Sequence, residues 1–122
     1  LYSHTITKQV YQRLLVLAEA CLAAGFPVII DASFIDAQQI PPFHALACRM
    51  DMSFHILEFN AKPDTLRTRL KQRQAEYSDA TLEVLEKQIS KWCSVPEGLQ
   101  KHLLAIDTEH DVDIKKLKGQ LF

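Results

Sequence analysis

Two kinds of side chain in this sequence could do chemistry by their type and placing: a carboxylate that follows an apolar run, and arginines spaced to share a helix face. In "VIIDASF", residues 28–34, Asp31 stands directly behind Val28, Ile29 and Ile30, with Ser33 two residues further on. A carboxylate emerging from a buried strand beside a hydroxyl suits Mg²⁺, held directly or through water, or the orientation of a nucleophile. The same pattern also serves a structural end, since Asp31 or Asp36 would cap the helix that follows. The residues alone leave both readings open.

Lys62, Arg67, Arg69, Lys71 and Arg73 crowd one segment in which Asp64 is the nearby acid. Arg69 and Arg73 are four apart, so on a helix they present two planar forks to the same polyphosphate. A basic helix face is more often plain solvated surface. What favours a site is the polar stretch 74–79 beyond it, which has the composition of a flap. His44 and Cys48 are also four apart, but no third and fourth ligand stand at matching spacing, and a core thiol beside a half-buried imidazole is the simpler account. The remaining histidines are scattered singly, and neither Gly-x-Ser-x-Gly nor His-Glu-x-x-His occurs.

The elements that must position these groups follow from periodicity. Ile6, Val10, Leu14, Leu17, Ala18, Cys21 and Leu22 have the three-four spacing of an amphipathic helix, stopped by Gly25. Val28–Ile30 then reads as a short strand buried on both faces. Residues 36–50 predict a helix with Pro41-Pro42 near its true start and Phe43, Leu46, Ala47 and Met50 facing inward. A strand at Phe54–Phe59 is followed by a helix opened by Pro63 and Asp64. The next helix, capped by Ser78 or Asp79, carries Leu82, Leu85, Ile89 and Trp92 as its inner stripe. Ser94-Val95-Pro96-Glu97 matches a capping box, Leu103–Asp107 a strand, and 112–121 a final helix.

Strands alternating with helices predict an α/β fold: a three-layer parallel sheet with helices on both faces, residues 1–122 forming one domain. Ligands of such sheets gather at the carboxyl ends of the strands, here Asp31 and Ser33, Glu58 and Asn60, Asp107 and Thr108. Only three strands are visible, and the chain begins at Leu1, so a piece of something longer is expected.

With 14 Lys+Arg against 15 Asp+Glu, 122 residues and 48% hydrophobic content, the composition is that of a globular domain without a nucleic-acid footprint. Cys21, Cys48 and Cys93 are an odd number without a Cys-x-x-Cys pair, which fits buried or free thiols in a reducing compartment, so a cytoplasmic location is expected. No apolar run approaches a membrane span.

Taken together, "LYSHTITKQVYQRLLVLAEACLAAGFPVIIDASF", "FHILEFNAKPDTLRTRLKQR" and "YSDATLEVLEKQ" resemble the later part of a P-loop kinase domain. The resemblance is to the small kinase-like or AAA-type ATP-binding domain fused behind aminoglycoside-phosphotransferase-like domains, and it spans residues 1–108. It implies a P-loop NTPase-like fold, truncated at its N-terminus, and transfer of the γ-phosphoryl of ATP, with Mg²⁺, to a hydroxyl of an unidentified small molecule or nucleic-acid end. By position, Asp31 and Ser33 correspond to the turn near the metal and phosphates, Arg69 and Arg73 to charge-stabilising arginines at the start of a lid, and 78–81 to its far side. Asp107 and Thr108 close the final strand, whose following loop lies by the adenine.

Two departures qualify it. The family's Gly-x-x-x-x-Gly-Lys-Ser/Thr loop has no counterpart here, where the glycines are Gly25, Gly98 and Gly119. Where relatives carry arginines after "DASF", this chain has Asp36, Ala37, Gln38, Gln39 and Ile40. The isolated chain is therefore expected to be inactive. Its open sheet edge would admit strand exchange or a homo-oligomer. The alternative is a non-enzymatic interaction or regulatory module that retains the scaffold.

Overall fold

The computed structural model describes residues 4–73 and 79–122. The chain forms two compact units, residues 1–54 and 55–122.

The first unit begins with α1, His4–Ala23. It ends in a Schellman turn. The Phe26 amide donates to Cys21 O and the Gly25 amide to Leu22 O, both at 3.0 Å. Gly25 occupies φ +87°, where a side chain would be strained, so the sequence stops the helix at its glycine. The inward face matches the expected one in part: Ala18, Leu14 and Leu22 turn inward as expected, and Cys21 does not. Tyr11 and Ala18 are buried with Leu14, Leu15 and Leu22 half-buried, whereas Ile6, Val10 and Leu17 are 44–49% exposed. Both sets have helical spacing, and Tyr11 decides between them because it has a polar tip to satisfy as well as a ring to bury.

That tip accepts the Phe34 amide at 2.9 Å. The Tyr11 and Phe34 rings lie 5.0 Å apart and Phe34 meets Phe43 edge-on at 5.6 Å. Phe34 holds φ +47°, an unfavourable conformation for a bulky residue, whose cost the hydrogen bond and two ring contacts offset. A short 3₁₀ turn, Ala37–Gln39, leads into α2, Pro41–Arg49, whose Phe43, Leu46 and Ala47 are buried.

The expected strand at Val28–Ile30 is not formed. Residues 26–35 are irregular, and Ile29 is 92% exposed. Apolar, β-branched residues favour a strand only when a neighbouring strand accepts their backbone hydrogen bonds, and the one sheet among the described residues gives them none.

The second unit holds that sheet. β1, Ile56–Asn60, and β2, Leu103–Asp107, run parallel with Ile56 opposite Leu103 and Asn60 opposite Asp107. The three-layer sheet is thus corrected to a two-stranded one among the described residues, within a mixed α/β architecture. Between the strands lie α3, Pro63–Gln72, α4, Asp79–Lys91, and a 3₁₀ helix, Glu97–His102; α5, Ile114–Leu121, closes the chain. Asp113 caps α5 by accepting the Lys116 amide at 3.0 Å.

Two local expectations fail here. The capping box at Ser94–Glu97 is absent, because the 3₁₀ helix starts after Pro96 with no side-chain cap. Pro96 disfavours the helical region for Val95, which such a box would require. Trp92 lies past the end of α4 and is 48% exposed, so it is no part of an inner stripe.

Candidate functional site

The carboxyl ends of β1 and β2 lie side by side, and the loop after β2 is tied both to β1 and to α3. Thr108 donates its amide to Asn60 O at 2.8 Å and its hydroxyl to the same oxygen at 2.7 Å, extending the ladder by one residue. The Thr108 hydroxyl in turn accepts Arg69 Nη1 at 2.9 Å, and Arg69 Nη2 donates to the Thr108 carbonyl. Arg69 is therefore fixed on the strand end by both terminal nitrogens of its guanidinium.

The next residue makes a second attachment. Lys62, at the N-cap of α3, offers no capping side chain. Glu109, from the loop after β2, binds the entrance of the helix instead: one carboxylate oxygen accepts the Lys62 amide at 3.0 Å and the Thr65 hydroxyl at 2.7 Å. These bonds, the Thr65 hydroxyl first and the Lys62 amide second, hold the Glu109 carboxyl below the usual glutamate range. Asp107 accepts the Glu109 amide at 2.8 Å, which closes the turn on itself.

Arg67 faces the other way. It is ion-paired with Asp64 at 2.8 Å and with Glu86 of α4 at 2.6 Å. The Glu86 bond, then the Asp64 bond, raises the Arg67 pKa above its ordinary value, and the same contact lowers Glu86. The basic segment is thus less bare than its sequence suggests, because Glu86 approaches from 19 residues away. Arg73 is exposed at the C-cap of α3, one turn beyond Arg69. Residues 74–78, the expected flap and lid segment with Ser78, lie outside the described residues.

In the first unit, Asp31 and Ser33 are exposed, and neither forms a hydrogen bond or ion pair among the described residues. Asp36, not Asp31, is the cap, accepting the Gln38 amide at 3.0 Å. The structure thus brings Arg69 together with Thr108 and places Asp107 beside them on the strand end. It leaves Asp31 and Ser33 on an irregular segment of the other unit and Arg73 in solvent. No group of three or more His, Cys, Asp or Glu side chains converges among the described residues. A single carboxylate such as Asp31 would leave a Mg²⁺ ion to draw its other oxygens from water or phosphate.

An open cleft of about 380 Å³ lies against the strand ends, lined by Asn60, Ala61, Lys62, Ala105, Asp107 and Glu109. Two carboxylates face one lysine-bearing position there, and the nearest arginine fork is spent on Thr108. A triphosphate would meet the wrong charge, so these residues do not by themselves fit the phosphates of a nucleotide.

Glu109, Thr65 and Glu86 were not singled out in the sequence. Their partners are 44, 47 and 19 residues distant, beyond any local pattern.

No helix among the described residues is long and apolar enough to cross a membrane. Neither a curated protein nor a solved structure matches the chain. A sequence model described as an AAA domain matches residues 1–94, which takes in Asp31, Ser33, Arg69 and Arg73 and stops before β2 with Asp107 and Thr108. With that share of its 122 residues matched, the chain belongs to the AAA domain family, as a P-loop kinase-like domain.

Proposed function

We propose that the chain is part of an ATP-dependent phosphotransferase that moves a γ-phosphoryl group, with Mg²⁺, to a hydroxyl of a small molecule or nucleic-acid end. The observation that carries this reading is the family match across the segment bearing Asp31, Arg69 and Arg73. In this reading Arg69 and Arg73 offset charge at the transferring group, and Asp31 and Ser33 lie toward the metal. Asp107 and Thr108 border the nucleotide. Thr108 would set where the Arg69 guanidinium stands. The phosphate cradle falls to a glycine-rich loop that these 122 residues do not contain. The two units are parts of one domain in this reading, and the location is cytoplasmic.

The chain alone is then inactive. Calorimetric titration of the 122-residue protein with MgATP is expected to show no micromolar binding, and a micromolar Kd would overturn this. In a longer protein that carries both this chain and a phosphate-binding loop, Arg73→Ala is expected to lower turnover about a hundredfold or more. Unchanged turnover would remove Arg73 from the chemistry.

A second reading has its own support. Arg69 is already committed to Thr108 and the cleft beside it carries Asp107 and Glu109, an arrangement suited to holding a scaffold together rather than gripping phosphate. In that reading the chain is a non-enzymatic interaction or regulatory module, partnered through strand exchange or a second copy. The coding sequence upstream of Leu1 separates the two: a Walker A loop there favours the kinase.

A further inference from the structure

The first unit carries a pair of groups that the phosphotransferase reading does not use. Cys48 and His44 stand one turn apart on α2, with the thiol sulfur 3.5 Å from His44 Nε2. The imidazole is half-buried and its ring meets Phe54 at 5.2 Å with a 62° tilt, so Phe54 braces it from the side. Cys48 itself is exposed. The sequence-based expectation of a core thiol is corrected accordingly: the histidine is half-buried and the cysteine is not.

Exposure does not distinguish Cys48, because Cys21 and Cys93 are also free and exposed. Their surroundings do. Cys93 donates its S–H to the Lys91 carbonyl at 3.4 Å. Cys21 forms no hydrogen bond through its sulfur among the described residues. Cys48 alone of the three faces a nitrogen able to take its proton. In the tautomer with hydrogen on Nδ1, the Nε2 lone pair points to the thiol.

We propose that Cys48 and His44 form a thiol–imidazole pair that makes Cys48 the preferred site of mixed-disulfide formation with low-molecular-weight disulfides. His44 Nε2 takes the thiol proton as Cys48 Sγ attacks one sulfur of the disulfide R–S–S–R. The new Sγ–S bond forms as the old S–S bond breaks. The leaving R–S⁻ receives the proton from His44 and departs as R–SH. One thiol is oxidised and one half of the disulfide is reduced, so the step needs no further oxidant. Base assistance of this kind is worth more when the pair is enclosed, so an exposed pair is expected to gain about tenfold, below the range of a positioned catalytic base.

The test treats the 122-residue protein with oxidised glutathione, quenches samples with acid over time and assigns each mixed disulfide by fragment-ion mass spectrometry. Cys48 is expected to react about tenfold faster than Cys21 or Cys93. His44→Gln, with helix content checked by circular dichroism, is expected to bring Cys48 down to the rate of the other two. Equal rates at the three thiols in the unaltered protein would overturn the proposal, whether or not the variant folds. So would a folded His44→Gln protein in which Cys48 keeps its lead.

Discussion

Arg69 and Thr108, 39 residues apart, are joined through both terminal nitrogens of the guanidinium: one bonds the threonine hydroxyl at 2.9 Å, the other its carbonyl. That hydroxyl also donates to Asn60 O, so one oxygen links the arginine to the ends of both strands.

Thr108→Val keeps the shape and removes the shared hydroxyl. Asn60 O still receives the Thr108 backbone amide, so the loss falls mainly on Arg69. We expect a cost of about 1 kcal/mol, read as a lower urea midpoint with an unchanged slope. A midpoint equal to that of the parent protein would show that the Arg69 contact contributes nothing.

Glu109→Ala removes the acceptor at the entrance of α3. The Lys62 amide is expected to exchange hydrogen faster, while α4 and α5 keep their protection. Glu109→Gln retains an acceptor oxygen and is expected to fall between the two. Uniform loss of protection across the second unit would instead mean that Glu109 supports the whole unit.

Acid should weaken the second unit. Glu86, bonded by Arg67, and Glu109, bonded by Thr65 and the Lys62 amide, both have carboxyl pKa values lowered on folding. A lowered carboxyl pKa contributes stability that is present above the unfolded value, near 4.5, and is lost as pH falls through the folded one. Thermal unfolding followed from pH 6 down to 3 should show this decline, and Glu86→Gln should flatten it. A decline of the same steepness in Glu86→Gln would remove Glu86 from the account.

Tyr11→Phe deletes the oxygen that accepts the Phe34 amide and leaves the aromatic contacts in place. The stranded amide is expected to cost about 1 kcal/mol. Because Phe34 sits at φ +47°, the loss should be accompanied by rearrangement of residues 31–35, visible as changed amide chemical shifts there. Shifts confined to Tyr11 itself would show that the turn holds without the bond.

What could be seen in the sequence was local. Gly25 ended α1 and Pro63 opened α3, each because a few adjacent residues determine the backbone, whereas the apolar run Leu103–Asp107 became a strand because β1 pairs with it. Val28–Ile30 was misread because a strand needs a neighbour that a linear sequence does not reveal. Of the candidate site, Arg69 and Thr108 could be named singly, but their bond could not. Glu109 was missed for the same reason: its partners are supplied by folding, not by spacing.

Thr108 and Glu109 are consecutive, yet they take hold of α3 at Arg69 and at Lys62, seven residues apart and therefore about 10 Å along the helix axis. A rod clamped at two points by one short bracket cannot pivot about either. A push at Arg73 is carried as a torque into the loop after β2 through these two holds and into α4 through Arg67 and Glu86, so the load on α3 is shared between a bracket at its start and a brace along its side.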